Sequence, residues 1–168
     1  MLFTPDSPSA LSLLPGLRHR KLVLASASPR RKQLIGMLGI PFEVRPIGAD
    51  EIYPKEITGP DIPRFLSELK ARAAVSTLSP EEILITSDTV VQLDGQTLEK
   101  PASPEEAFRM IRALSGRTHE VTTGFTIVDG RQTDVLKTDH DTVTVSFVHL
   151  SDDFIHHYIE HHQPFDKA

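Results

Sequence analysis

The chain contains no cysteine, which excludes a disulfide, a thiolate nucleophile and any zinc site built on thiolates. No apolar run approaches the length of a membrane span, and residues 1–20 lack the uninterrupted apolar core of a signal peptide, so a soluble, cytoplasmic protein is expected. Neither Gly-x-x-x-x-Gly-Lys-Ser/Thr nor Gly-x-Gly-x-x-Gly occurs, which removes a P-loop and a dinucleotide fingerprint. No Gly-x-Ser-x-Gly elbow surrounds Ser28, so a Ser-His-Asp hydrolase is rejected. An excess of positive charge is missing as well. The formal net charge of −5 gives no general attraction to a nucleic-acid polymer or to an anionic membrane, and any recognition of phosphate has to be local.

What is present suits a single domain. At 168 residues and 39% hydrophobic content the chain can bury a sizeable core. Residues 1–20, with Pro5, Pro8 and Pro15 among serines, read as a loosely ordered arm with at most one short helical turn. Leu22 to Ala25 reads as a buried strand, and Leu34, Ile35 and Leu38 recur at helical spacing until Gly39 and Pro41. A second strand is expected over Phe42 to Val44, running into Asp50-Glu51, and a helix from near Asp61 whose apolar stripe is Ile62, Phe65, Leu66, Leu69, Ala73 and Ala74, with Lys70 beside it.

Ile83 to Ile85 and Val90-Val91 are strand-like, with Ser87-Asp88-Thr89 interrupting the apolar run. Asp94-Gly95 predicts a hairpin, and Ser103-Pro104-Glu105-Glu106 is a capping box with proline at the first helical position. Val121 to Val128, Asp129-Gly130 and the alternation through Phe147 predict a long antiparallel hairpin, after which Ser151 caps a last helix. Strands and helices alternate but hairpins are present, so the class is α/β or α+β with a mixed sheet.

The most informative local feature is Ser26-Ala27-Ser28-Pro29-Arg30-Arg31. Ser28 suits an N-cap and Pro29 the first helical position, where a missing N–H costs nothing. Two arginines in the first turn face the positive end of the helix dipole, an arrangement that costs a few tenths of a kcal/mol each unless an anion is bound. Hydroxyls, free N–H groups and guanidinium forks converging on one point are what a phosphate requires. The residues leave two readings open, a phosphate site and a solvated basic helix start.

Phosphate chemistry also needs a group to activate water, and usually a divalent cation held by carboxylates, because attack on a polyanion is electrostatically opposed. Asp88 and Glu51 are the candidates: Asp88 because a charge within an apolar strand is rare unless paired or functional, Glu51 as a loop carboxylate that is otherwise a solvated charge. Lys70 and Lys100 could neutralise phosphate oxygens as point charges, while Arg30 and Arg31 can make forked contacts. His157 and His161 share a helix face at i,i+4, but with no acidic or cysteine partners a solvated, pH-sensitive helix is the reading adopted.

Five segments in order, Leu24 to Leu34, Ser87 to Val91, Leu98 to Pro101, Leu114 to His119 and Asp166 to Ala168, resemble the Maf-type nucleotide pyrophosphatases. The resemblance covers almost the whole chain after residue 20. It implies an elongated α/β fold, similar to that of inosine triphosphatases, with two lobes around a nucleotide cleft. The activity it implies is hydrolysis of a nucleoside triphosphate between the α and β phosphorus to give a monophosphate and pyrophosphate, with Mg²⁺ or Mn²⁺, in housecleaning of the nucleotide pool. By motif, Asp88 resembles the proton acceptor and, with Glu51, a metal-holding position. Ser26, Arg30 and Arg31 match the phosphate turn, Lys70 and Lys100 line the cleft, and Arg30 and Thr89 bear on substrate choice. Glu99-Lys100-Pro101 with Ser115 to His119 resembles the branch acting on dTTP and UTP. Members are often dimers, so a homodimer is expected.

Two departures from the family pattern stand out. Ser87 occupies a place where a small apolar residue is usual, and the chain stops at Ala168 where members continue through a segment like Gly-Ala-Tyr-Gly-Ile-Gln-Gly, whose glutamine contacts substrate. The expectation is therefore a pyrophosphatase domain over 21–168, C-terminally incomplete. The alternative is a catalytically impaired nucleotide-binding module linked to control of cell division.

Overall fold

The computed structural model describes residues 14–17, 19–49 and 51–166, with the backbone alone at 166. Most of the expected N-terminal arm, Asp50 of the acidic pair and the end of the Asp166-Lys167-Ala168 motif lie outside the described residues; within the arm, Pro15–Leu17 forms one 3-10 turn. The elements that follow are β1 (Lys21–Leu24), α1 (Pro29–Gly36), β2 (Phe42–Val44), α2 (Asp61–Ala74), β3 (Glu82–Leu93), β4 (Gln96–Leu98), α3 (Pro104–Leu114), β5 (Thr118–Asp129), β6 (Leu136–Ser146) and α4 (Asp152–His162). They form a mixed α/β fold with one six-stranded sheet in the order β2-β1-β3-β5-β6, with β4 also on β3. β1 runs parallel to β2 and β3, whereas β3, β4, β5 and β6 join antiparallel.

The sheet has two unequal edges at β3. Along one edge β5 pairs with β3 from Ile83 to Gln92. Along the other, β1 pairs with Glu82 to Ile85 and β4 with Val91 to Leu93. Residues 86–90 therefore carry no strand on that edge among the described residues, and a gap opens in the sheet between the end of β1 and the start of the hairpin. Asp88 lies in the middle of this stretch. The polar triplet Ser87-Asp88-Thr89 breaks the apolar run but not the strand, because the unbroken β5 ladder holds the backbone extended.

α2 lies across β3 and β5 and supplies the main core. Val23, Ala25, Ala71, Ala74, Leu84 and Val128 form one buried cluster, and Ile62, Leu66 and Val90 another. Each Leu, Ile or Val buried here contributes on the order of 1.5–3 kcal/mol. The buried face of α2 differs from the stripe expected. Ala73 is exposed, Phe65 and Leu69 are half-buried, and Ser67, Lys70 and Ala71 are inside. The cause is polar satisfaction. Ser67 Oγ is shared with Thr126 Oγ1 (2.9 Å) and donates to the Arg64 carbonyl (2.8 Å), and Thr86 Oγ1 donates to the Ser67 carbonyl (2.7 Å), so these hydroxyls can be buried without loss.

α1 departs from expectation too. None of its residues is buried, and Leu34 is 62% exposed. The spacing 34, 35, 38 covers too few turns to fix an inward face, and only Ile35 and Leu38 turn partly inward. α3 and α4 pack on each other around Ala107, Ile155 and Ile159. Both start as expected: Ser103 Oγ accepts from the Glu106 N–H (3.2 Å) and Ser151 Oγ from the Phe154 N–H (3.2 Å). No described helix is long and apolar enough to cross a membrane.

Candidate active site

The turn after β1 brings its groups to the gap in the sheet. Ser26 is buried, and its hydroxyl oxygen accepts from the Ser28 N–H (3.2 Å) and from Arg31 Nη1 (3.4 Å). Ser28 takes the extended conformation of an N-cap and Pro29 the first helical position, but the Ser28 hydroxyl makes no cap bond. The first-turn N–H groups of α1 thus have no side-chain acceptor. Arg31 Nη2 reaches across the gap to Thr89 Oγ1 (3.4 Å), which is itself shared with Thr123 Oγ1 (3.0 Å). Burial lowers the Arg31 pKa from its ordinary value, and the charges of Asp88 and Glu51 oppose that shift. A partly desolvated guanidinium whose long hydrogen bonds end on uncharged hydroxyls remains able to take an anion.

On the α2 side of the sheet the carboxylates converge on one ammonium. Lys70 Nζ donates to Asp88 Oδ1 and lies 2.9 Å from Glu51 Oε1. Lys70 and Asp88 are buried, with side chains 11% and 10% exposed, while the Glu51 side chain is 46% exposed. Burial pushes the Glu51 carboxyl up, but the Lys70 hydrogen bond and the charges of Lys70, Lys100 and Arg31 together hold it below its ordinary value. Those fields show that Glu51, Lys70, Lys100 and Arg31 act within one electrostatic neighbourhood. Lys100 itself is exposed, just beyond β4. Arg30 is exposed on the first turn of α1 and makes no hydrogen bond or ion pair among the described residues.

The structure therefore brings Ser26, Arg31, Thr89, Asp88, Lys70 and Glu51 together, places Lys100 at the margin and leaves Arg30 facing solvent. The gathered set balances two cations, Arg31 and Lys70, against two carboxylates, and only with Lys100 at the margin and Arg30 on the solvent side does the surrounding charge turn positive, as a polyanion would require. Asp88 and Glu51, two hard oxygen donors aimed at one positive group, also fit Mg²⁺ or Mn²⁺. No group of three or more His, Cys, Asp or Glu gathers among the described residues. A cation here would complete its shell with water and substrate phosphate, as Mg²⁺ commonly does. His157 and His161 stack at 4.0 Å and His161 Nδ1 contacts the His157 carbonyl, which leaves them a solvated helix face.

One residue of the site escaped sequence reasoning. Gly124 of β5 pairs directly with Asp88, and a Cβ there would lie 2.3 Å from the Pro63 carbonyl carbon and 2.4 Å from Arg64 N. Its missing side chain lets the first turn of α2 lie on the sheet, which carries Lys70 to Asp88. A glycine inside a strand pattern signals such an approach, but only the tertiary structure says to what.

Residues 21–168 match the family described as Maf-like protein. A dTTP/UTP pyrophosphatase of Flavobacterium johnsoniae is 43% identical over 152 residues, covering 90% of this chain and 77% of that protein. A dTTP/UTP pyrophosphatase of Porphyromonas gingivalis is 42% identical over 159 residues, covering 93% of this chain and 78% of that protein. A HAM1 protein of Coxiella burnetii overlaps 76% of this chain and 72% of its own at 14% identity and a TM-score of 0.49. With its family match running from residue 21 to residue 168 and relatives above 40% identity along most of its length, the chain belongs to the Maf-like protein family.

Proposed function

We propose that this chain is a nucleoside triphosphate pyrophosphatase that acts in the cytoplasm on dTTP or UTP and releases the nucleoside monophosphate and pyrophosphate. The observation that carries this reading is the meeting of Asp88, Lys70 and Glu51 beside the gap in the sheet, across from the Ser26–Arg31 turn. The names of the relatives supply the base preference.

In this reading Ser26, Arg31 and the uncapped start of α1 hold the β and γ phosphates, with Arg30 and Lys100 closing on them from solvent. The α phosphorus then sits over the open stretch of β3. Asp88 takes the proton of a water as its oxygen bonds to the α phosphorus, and the bond from that phosphorus to the bridging oxygen breaks, so pyrophosphate leaves with the bonding pair. Lys70 orients the Asp88 carboxylate through its hydrogen bond, and Thr89 fixes the Arg31 fork. Glu51 and Asp88 would hold a divalent cation, which when bound offsets charge on the phosphates.

The test is pyrophosphate release from dTTP and UTP with Mg²⁺ or Mn²⁺, compared with Asp88→Asn. Asp88→Asn is expected to lower turnover by roughly 10²–10⁴-fold, the range of a lost general base, while nucleotide binding stays measurable. Turnover unaffected by Asp88→Asn contradicts the assignment.

A further inference from the structure

The buried serine and threonine hydroxyls among the described residues all have a hydrogen-bond partner except that of Ser87. Ser67, Thr122 and Thr126 share bonds with other hydroxyls, Thr86 donates to a carbonyl, and Ser26 and Ser115 accept from backbone N–H groups. Ser87 is only 9% exposed, and its side chain makes no hydrogen bond among the described residues. Burying a hydroxyl unpaired is unfavourable, so such a group marks a place where something outside the fold completes it.

The sheet register puts Ser87 beside the phosphate turn. β1 and β3 pair in parallel with Leu24 beside Ile85, and the Ala25 N–H still donates to the Ile85 carbonyl (3.0 Å). Carried two residues from Leu24 and Ile85, that register sets Ser26 beside Ser87, where the two strands part. Alternation along β3 turns Ser87 and Thr89 to the face of Ile83 and Ile85, opposite the face on which Asp88 meets Lys70. Arg31 bridges the Ser87 side of the gap, from Ser26 Oγ to Thr89 Oγ1. Of these three hydroxyls, Ser26 already accepts twice and Thr89 is shared with Thr123, so Ser87 alone has both its proton and its lone pairs uncommitted. We propose that Ser87 is a further phosphate-binding residue of this chain, its hydroxyl donating to an oxygen of the phosphate that Arg31 holds. A hydroxyl bonded to an ionised oxygen is among the stronger neutral-donor contacts, and it would satisfy the one buried hydroxyl that the fold leaves open. This role rests on the triphosphate reading above and adds to it a residue at which the chain departs from the family pattern.

Calorimetric titration of the full chain with inorganic tripolyphosphate, beside a thermal melt, is the test. Ser87→Ala is expected to weaken tripolyphosphate binding by roughly tenfold, the scale of a hydrogen bond to a charged acceptor, and to leave the melting temperature unchanged or raised, because it removes an unpaired buried hydroxyl. In an Arg31→Ala background the same substitution is expected to cost well under tenfold, since the two groups hold one phosphate and their effects are not independent. Tripolyphosphate affinity of Ser87→Ala within about twofold of the parent overturns the assignment while leaving the phosphate site intact. A loss of affinity that comes with a lowered melting temperature also overturns it, by making the hydroxyl structural, and so does an equal loss with and without Arg31. Failure of the wild-type chain both to bind tripolyphosphate and to turn over UTP overturns the triphosphate reading itself.

Discussion

Gly124 sits directly across the β3–β5 ladder from Asp88, and the backbone of Pro63 fills the space where its Cβ would be. The buried Lys70–Asp88 pair depends on that approach, since Lys70 is two turns further along the helix that Pro63 helps start. Gly124→Ala should therefore push α2 off the sheet. Overpacking commonly costs about 1–3 kcal/mol, and a clash with backbone rather than a flexible side chain belongs at the upper end. The expected result is a loss of about 3 kcal/mol in urea unfolding together with a large fall in turnover; a variant as stable and active as the parent would show that α2 can relocate freely.

Arg31 spans the gap between the turn and β3 on two 3.4 Å hydrogen bonds. Both bonds are long and end on uncharged hydroxyls, so their loss should barely affect the fold, whereas bonds from the guanidinium to a charged phosphate are worth about 1.5–3 kcal/mol. Arg31→Ala should raise KM for the triphosphate by roughly tenfold to a hundredfold with little change in melting temperature. Steady-state kinetics beside a thermal melt check this, and a large drop in stability with KM unaltered would make Arg31 a structural residue.

Glu82 gives a pH signature remote from the site. Its side chain is 8% exposed and is held by Arg45 Nη2 (2.7 Å) and Nη1 (3.2 Å), with the Ser79 N–H at 2.9 Å. The Arg45 guanidinium and the Ser79 N–H bring its pKa down from 4.5 to about 2. A carboxyl whose pKa is lower in the folded state contributes stability that is complete above its unfolded value and is lost as pH falls toward the folded value. Stability should thus decline between about pH 4.5 and 2. Glu82→Gln should flatten that decline and, by leaving Arg45 without its main partner, cost about 2–3 kcal/mol at neutral pH, somewhat less than a fully buried pair. Denaturant midpoints measured across that range are the check, and an unchanged acid profile in Glu82→Gln would assign the decline to other carboxylates.

Features legible in the sequence were those whose cause is local. Pro29 at the first helical position, the Ser103 cap and the Asp94-Gly95 hairpin each depend on a few neighbouring residues, and each is found where expected, although the Glu106 carboxylate that should close the capping box on Ser103 accepts from the Ala102 N–H instead. Asp88 and Lys70 could be named as charges in apolar surroundings, but they are 18 residues apart in the chain and nothing local pairs them. The buried face of α2 was misplaced because Ser67 and Lys70 are inside by virtue of partners on β3 and β5 that a helical period does not contain. The Ser28 hydroxyl was expected to cap α1, yet it makes no cap bond, and Ser26 takes the Ser28 N–H instead.

The most direct test of the central claim is ³¹P spectroscopy of UTP incubated with the protein and Mg²⁺. UMP and pyrophosphate are expected in equal amounts, with Asp88→Asn slowing the release of both by roughly 10²–10⁴-fold. UDP with orthophosphate as the products would contradict it, because that places the attack on the γ phosphorus and the phosphate turn on the wrong end of the chain of phosphates.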